Sequence, residues 1–204
     1  MSLLDRFGVA VGYTVALAVG TVLLHAQPRP TRDAWLDWAS TNLANAPDHP
    51  VSTLVVSGLF TDGEVRGWLV LSLVGLGALG WRLGAWRTLA VVASAHVLGT
   101  VLSEGILGLR IAAGAVPASE AHIHDIGPSY VVVAALVAGL VYGPWAARLP
   151  CAIGFAMVAP DLFGGLPHLE VSSVGHVAAI TVALVEGALF VLPLRRAAAR
   201  ARAG

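Results

Sequence analysis

The sequence contains no lysine, so all of its positive charge rests on arginine, and it carries a single cysteine, Cys151. One thiol excludes an intramolecular disulfide and any cysteine-based zinc cluster. Charge of either sign is scarce. Only 12% of the residues are Asp, Glu, Lys or Arg, against about 25% in an average soluble domain. The formal net charge is zero and no basic block occurs, which excludes a nucleic-acid-binding arm. What replaces charge is apolar: 57% of the residues are hydrophobic and the mean hydropathy is +0.79. Such a chain is a polytopic membrane protein whose hydrophobic runs are spans rather than core helices.

The pattern predicts one all-α membrane domain, residues 1–204, with no internal repeat and six spans, at about 7–25, 65–81, 87–108, 127–146, 149–166 and 174–194. The first run, at about 18 apolar residues, exceeds the usual h-region of a signal peptide. It is followed by His25-Ala-Gln-Pro28 rather than a small-x-small cleavage site, so it reads as a retained span. The fifth run is interrupted by Pro160-Asp161 and loosened by Gly164-Gly165. With both termini cytoplasmic, Arg6, Arg82, Arg87, Arg148, Arg195, Arg196, Arg200 and Arg202 fall inside, and Arg29, Arg32, Arg66 and Arg110 outside. That asymmetry follows the positive-inside tendency.

The long first loop has structure of its own to offer. Residues 33–45 place Trp35, Leu36, Trp38 and Leu43 on much of one helical face, which predicts an interfacial helix on the outer leaflet. Val51–Phe60 is apolar but too short to span, and is expected to dip in and pack on the bundle. In the predicted orientation this loop, the stretch His122–Ser129 and the connection Pro167–Ser173 all lie on the outer face, where polar groups converge into a candidate site.

The stretch His122-Ile-His-Asp-Ile-Gly-Pro-Ser-Tyr130 concentrates the chemistry. Ser129 opens the fourth apolar run, and His176 lies early in the sixth. A serine needs a base to become nucleophilic, and a neutral imidazole within reach can take its proton. A helix N-terminus at Ser129 also supplies free backbone N–H groups for an oxyanion. The bland alternative is a capping serine and a histidine bonded to a neighbouring carbonyl. Glu120, His122, His124 and Asp125, joined by Asp161 or His168, offer a metal-ligand reading, although i, i+2 ligands in a loop have little geometric specificity. Asp125 reads equally as a helix cap or as a carboxylate orienting an imidazole. His96 and Glu104 lie on much the same face of the third run and could form a polar relay, or simply bond to a neighbouring helix. Glu186 reads as neutral, or as paired with an arginine on the cytoplasmic side. The small residues Gly75, Gly77, Gly80, Ala134, Ala135, Ala138 and Gly139 serve close helix packing.

This order of features resembles the rhomboid superfamily of intramembrane serine proteases. The resemblance is carried by Gly127-Pro128-Ser129-Tyr130 at the serine position and Gly175-His176 with Ala179 and Ala183 at the histidine position. The stretch Val51–Gly63, leading to a span that ends Gly80-Trp-Arg-Leu-Gly-Ala-Trp-Arg87, belongs to the same likeness. It is nearest to the divergent actinobacterial members. It implies a six-span bundle with a membrane-associated first loop, and Ser129 and His176 as a catalytic dyad. Gly127, Pro128, Tyr130, Asp125 and His124 would lie around the oxyanion. No cofactor or metal is implied, and the partners are the bilayer and a transmembrane substrate or client. The expected location is the inner membrane, with the active site toward its outer face. The sequence departs from the family pattern at three places. Residues 65–81 lack the His-x-x-x-Asn that helps hold the oxyanion, Tyr130 replaces the second glycine of Gly-x-Ser-Gly, and the first loop lacks its Trp-Arg pair. These departures favour an alternative, a pseudoprotease that binds transmembrane helices without cutting them. A metal-dependent hydrolase on His122, His124, Asp125 and His168 is a third reading. A small transporter lacks the expected inverted repeat.

Overall fold

The computed structural model describes residues 2–203, and side chains as far as residue 193. The side chains of Arg195, Arg196, Arg200 and Arg202, assigned to the cytoplasmic side above, lie outside the described set. Every regular element among the described residues is helical. The α-helices are α1 (Leu3–His25), α2 (Arg29–Ala39), α3 (Pro50–Ser57), α4 (Val65–Leu83), α5 (Ala85–Ala112), α6 (Ser129–Tyr142), α7 (Trp145–Phe163) and α8 (Val171–Ala203). Short 3-10 turns at Ala118–His122 and Leu166–His168 complete the order.

Four stretches are long and apolar enough to cross a membrane: Leu3–His25, Ala85–Ala112, Trp145–His168 and Val171–Pro193. The chain is therefore an all-helical integral membrane protein. The amphipathic stretch of the first loop is helical as α2, displaced toward the N-terminus because Pro30 in its first turn favours helix initiation there. Residues 40–49 form turns instead. The short apolar segment becomes α3, begun by Pro50 and ended at Gly58.

α6 organises the bundle. Its 14 residues rise about 21 Å, short of the ~30 Å hydrocarbon core. Its boundaries are chemical: Pro128 lies just before its start, and Gly143-Pro144 stop it one turn earlier than hydropathy suggested. Tyr130 to Gly139 are all buried, and α4, α5, α7 and α8 pack around them. A helix hydrophobic all round belongs in such an interior.

Close approach depends on residues without bulk. A Cβ at Gly75 of α4 would come within 2.9 Å of the Leu136 amide nitrogen, and one at Gly139 within 2.9 Å of Cys151 Sγ and 3.0 Å of Ala78 Cβ. A hydroxyl pair, Thr14 Oγ1 and Ser72 Oγ at 2.7 Å, ties α1 to α4. At the other end of α1, Asp5 accepts the Ala85 amide at 3.2 Å and Arg6 stacks 4.3 Å from the Trp81 ring centroid. These contacts hold the turn at Gly84, where φ is +82° and a side chain would be strained.

Gly75→Val should lower the thermal unfolding midpoint in detergent, because overpacking a tight core costs about 1–3 kcal/mol. Gly12→Ala, with nothing within 4 Å of the added carbon, should leave it unchanged or raise it. Circular dichroism melts of the two variants read both outcomes.

Candidate active site

The turn that precedes α6 is built by the first loop. Gly127 has φ +145°, a conformation that L side chains rarely adopt. Its amide donates to Ser57 O at the end of α3, at 3.0 Å. Asp125 is held from the α2–α3 connection: its amide donates to Ser40 Oγ at 3.0 Å, and its carbonyl accepts from the Thr41 amide and from Thr41 Oγ1. α3 is in turn pinned by Tyr13, whose hydroxyl donates to Gly58 O at 2.7 Å. Residues far apart in sequence thus fix the backbone from which Ser129 enters α6. As the first residue of α6, Ser129 shares with Tyr130 and Val131 backbone N–H groups that have no acceptor within the helix.

His176 is buried, at 4% exposure, one turn into α8. Its Nδ1 lies 3.3 Å from Leu162 O. A carbonyl oxygen only accepts, so this contact makes Nδ1 the protonated nitrogen and leaves a lone pair on Nε2. Nε2 is buried and has no hydrogen-bond partner. No hydrogen bond joins Ser129 to His176 among the described residues.

Tyr130 fills the space beside the imidazole. Its ring meets His176 edge-on at 4.9 Å and lies 6.0 Å from His96. It packs on the bare backbone of Gly175, where any side chain would collide with it. Its hydroxyl reaches Asp125 Oδ2 at 3.3 Å and Val171 O at 3.4 Å. The other donor to Asp125 Oδ2 is Thr41 Oγ1, at 3.2 Å. Asp125 therefore serves a tyrosine and a threonine rather than an imidazole.

The remaining candidates are distributed more widely. His124 is exposed and pairs with Asp37 of α2 at 2.6 Å. His96 Nε2 donates to Leu54 O at 2.8 Å and lies 3.3 Å from Ser57 Oγ. Since Nε2 carries the proton, it cannot deprotonate Ser57, and this serine–histidine contact is structural. Glu104 is 5% exposed, with both carboxyl oxygens buried and the Leu43 backbone as a polar neighbour. No hydrogen bond links it to His96 among the described residues. Among those residues no group of three or more His, Cys, Asp or Glu side chains is arranged to hold a metal, so the hydrolase reading on His122, His124, Asp125 and His168 finds no ligand set. A cleft of about 390 Å³ opens between the C-terminal end of α5 and the two connections that precede α6 and α8. Arg110, Glu120, His124, His168, Glu170 and Val171 line it.

Sequence reasoning missed the roles of Thr41, Ser57 and Leu162. Thr41 and Ser57 are uncharged and lie in a loop with no motif, and Leu162 acts through its backbone. The one usable signal was the polarity of Ser40-Thr-Asn42 beside an apolar amphipathic segment.

Burial pushes the Asp125 carboxyl up to about 6, against the opposing effect of its hydrogen bonds from Thr41 and Tyr130. Because the folded state favours the protonated form, this stabilisation is fully present below the unfolded-chain value near 3.8 and is lost as pH rises through about 6. Unfolding midpoints should fall from about pH 4 to about pH 6 and level off above, the whole step being worth at most about 3 kcal/mol. Asp125→Asn should flatten the step.

Residues 8–201 match the family model of the rhomboid-like proteins. No curated protein and no solved structure matches the chain. The family match runs through both the Ser129 turn and the His176 helix, and bears out the resemblance read from Gly127–Tyr130 and Gly175–His176: this integral membrane protein belongs to the rhomboid-like family.

Proposed function

We propose that the protein is an intramembrane serine endopeptidase that cleaves transmembrane substrates with Ser129 as nucleophile and His176 as general base and acid. The observation that carries this reading is the state of His176. Leu162 O fixes the tautomer, and the Nε2 lone pair is buried with no competing partner. A base prepared to take a proton needs that arrangement. Catalytic hydrogen bonds are often long before substrate binds, so the Ser129 hydroxyl completes the contact by rotation in the substrate complex.

The chemistry follows from these atoms. Ser129 Oγ attacks the scissile carbonyl carbon while its proton passes to His176 Nε2. The oxyanion that forms faces the first-turn amides of α6, the Ser129 N–H foremost, within a pocket shaped by Gly127 and Pro128. Collapse expels the amine, which takes the proton back from His176, and water then releases the acyl group by the same route. α4 offers neither His nor Asn to this oxyanion. The loss of one such donor costs about 2.7–4 kcal/mol, which slows such an enzyme without abolishing it.

The topology proposed with this reading has six spans, α1 and α4 to α8, in the inner membrane with both termini cytoplasmic. The site then faces outward, as does the 390 Å³ cleft. The break at Pro160-Asp161 and the glycines at 164 and 165 let α7 give way to a lateral substrate.

A second reading rests on Tyr130. Its ring occupies the flank of His176 where the family pattern has a glycine, which favours a pseudoprotease that binds transmembrane helices.

Labelling of the folded, detergent-solubilised protein with a fluorophosphonate probe separates the two. The protease reading expects labelling that Ser129→Ala and His176→Ala each reduce at least 100-fold and that Ser57→Ala leaves intact. Absent labelling of folded wild type assigns the protein to the pseudoprotease reading.

A further inference from the structure

Glu186 takes no part in the chemistry above, yet it is a carboxyl group far inside a membrane helix. It lies fifteen residues beyond Val171 at the start of α8, which is about 22 Å along the axis. Its partner Ser94 lies nine residues into α5, about 14 Å from that helix's start. Glu186 is also seven residues, about 10 Å, short of Pro193, where its apolar stretch ends, so the pair lies within the apolar stretches of both helices.

The side chain is only partly covered. It stands at the seam where α5 and α8 meet, on the boundary between the packed face of α8 (Ala179, Ala183) and its open face, where Val185 and Leu189 are 56% and 63% exposed. Across the seam, Val97 and Leu98 of α5 are likewise exposed. Glu186 Oε2 is 2.6 Å from Ser94 Oγ, its single hydrogen-bond partner among the described residues. Ser94 Oγ is also 2.7 Å from Ala90 O, and a hydroxyl has one proton to give. The carboxyl group is thus bonded through one oxygen at most, beside hydrocarbon. An ionisable group in that setting is costly unless another group completes its shell.

The chain cannot supply the missing group from its own sequence. It has no lysine, and no arginine between residues 7 and 28, 67 and 81, 88 and 109, 111 and 147, or 149 and 194. Every span interior lacks a basic residue, so a second copy has no cation to present at this depth either. The two histidines away from the span ends are committed elsewhere: His96 binds Leu54 O, and His176 is buried beside Tyr130.

We propose that the seam around Ser94 and Glu186 is a docking site for a transmembrane helix of another protein that carries an arginine or lysine at the matching depth. A basic side chain satisfies the free carboxyl oxygen and is itself relieved of lipid exposure, so selection rests on charge within the bilayer. The exposed Val97, Leu98, Val185 and Leu189 supply the apolar contacts on either side. The site is remote in sequence from Ser129 and holds whether or not that serine cuts what docks.

The test uses the full chain carrying Ser129→Ala, so that cleavage cannot consume the probe, reconstituted in phospholipid vesicles with a fluorescent acceptor. The probes are two donor-labelled single-span Leu/Ala peptides, identical except for one arginine or one leucine at the depth of Glu186. Energy transfer should show the arginine peptide associating at least tenfold more tightly, and Glu186→Gln, which keeps shape and the Ser94 bond, should abolish the difference. Equal association of the two peptides with the Glu186 protein overturns the proposal without reference to any Glu186 variant. So does an arginine preference that survives Glu186→Gln. Self-association of the protein that Glu186→Gln abolishes would assign the seam to a second copy and overturn it equally.

Discussion

The structure depends on a helix shorter than the hydrocarbon core is thick and enclosed on every side. α6 has 14 residues, and ten in succession, Tyr130 to Gly139, are buried. A segment apolar on every side gains by enclosure, and its short length leaves both ends inside the space that longer helices define. α4, α5, α7 and α8 provide that enclosure, and glycines at 75 and 139 allow backbones to approach where a methyl group would collide. The same enclosure sets the first turn of α6, which begins at Ser129, against α8, where the Tyr130 ring meets His176.

Satisfaction of polar groups then fixes the rest. In a medium without water each buried donor or acceptor must find a partner in the protein, and most do. Tyr13 binds Gly58 O, His96 binds Leu54 O, Gly127 donates to Ser57 O, and Thr41 holds Asp125. Together these bonds fasten the first loop to the bundle and set the turn before Ser129. Against that background the unpartnered atoms stand out. Among the described residues His176 Nε2 is buried without a hydrogen bond, and Glu186 is bonded only to Ser94. The free imidazole lone pair is the feature on which the proposed catalysis rests, and the half-satisfied carboxyl the one on which the proposed docking rests.

Much of the architecture was legible because membrane helices announce themselves by hydropathy and stop at recognisable breakers. α1, α4, α5 and α7 begin and end within about four residues of their apolar runs, whereas α8 begins three residues before its run and continues to Ala203, past the expected end at 194. The fourth run, 127–146, shortens to Ser129–Tyr142 under Pro128 and Gly143-Pro144. The amphipathic stretch of the first loop was visible too, although Pro30 started it earlier than its tryptophans implied. Ser129, Tyr130, Asp125 and His176 could be named as a set because their residue types are rare in such a chain. Their connectivity could not. Asp125 as an imidazole partner and His96 with Glu104 as a relay were reasonable from position alone. The bonds instead run from Asp125 to Thr41 and Tyr130, and from His96 to α3.

Sequence alone determined that this chain lives in a membrane, where its helices lie, and which few polar residues deserve attention, since those follow from local composition and from the cost of placing charge in hydrocarbon. Only the tertiary structure decided which partner each polar group has. Partnership depends on helix rotation and depth, set by packing between segments up to a hundred residues apart. It was packing that turned Tyr130 onto His176, gave His176 Nδ1 the Leu162 carbonyl, and left Glu186 at a seam open to lipid.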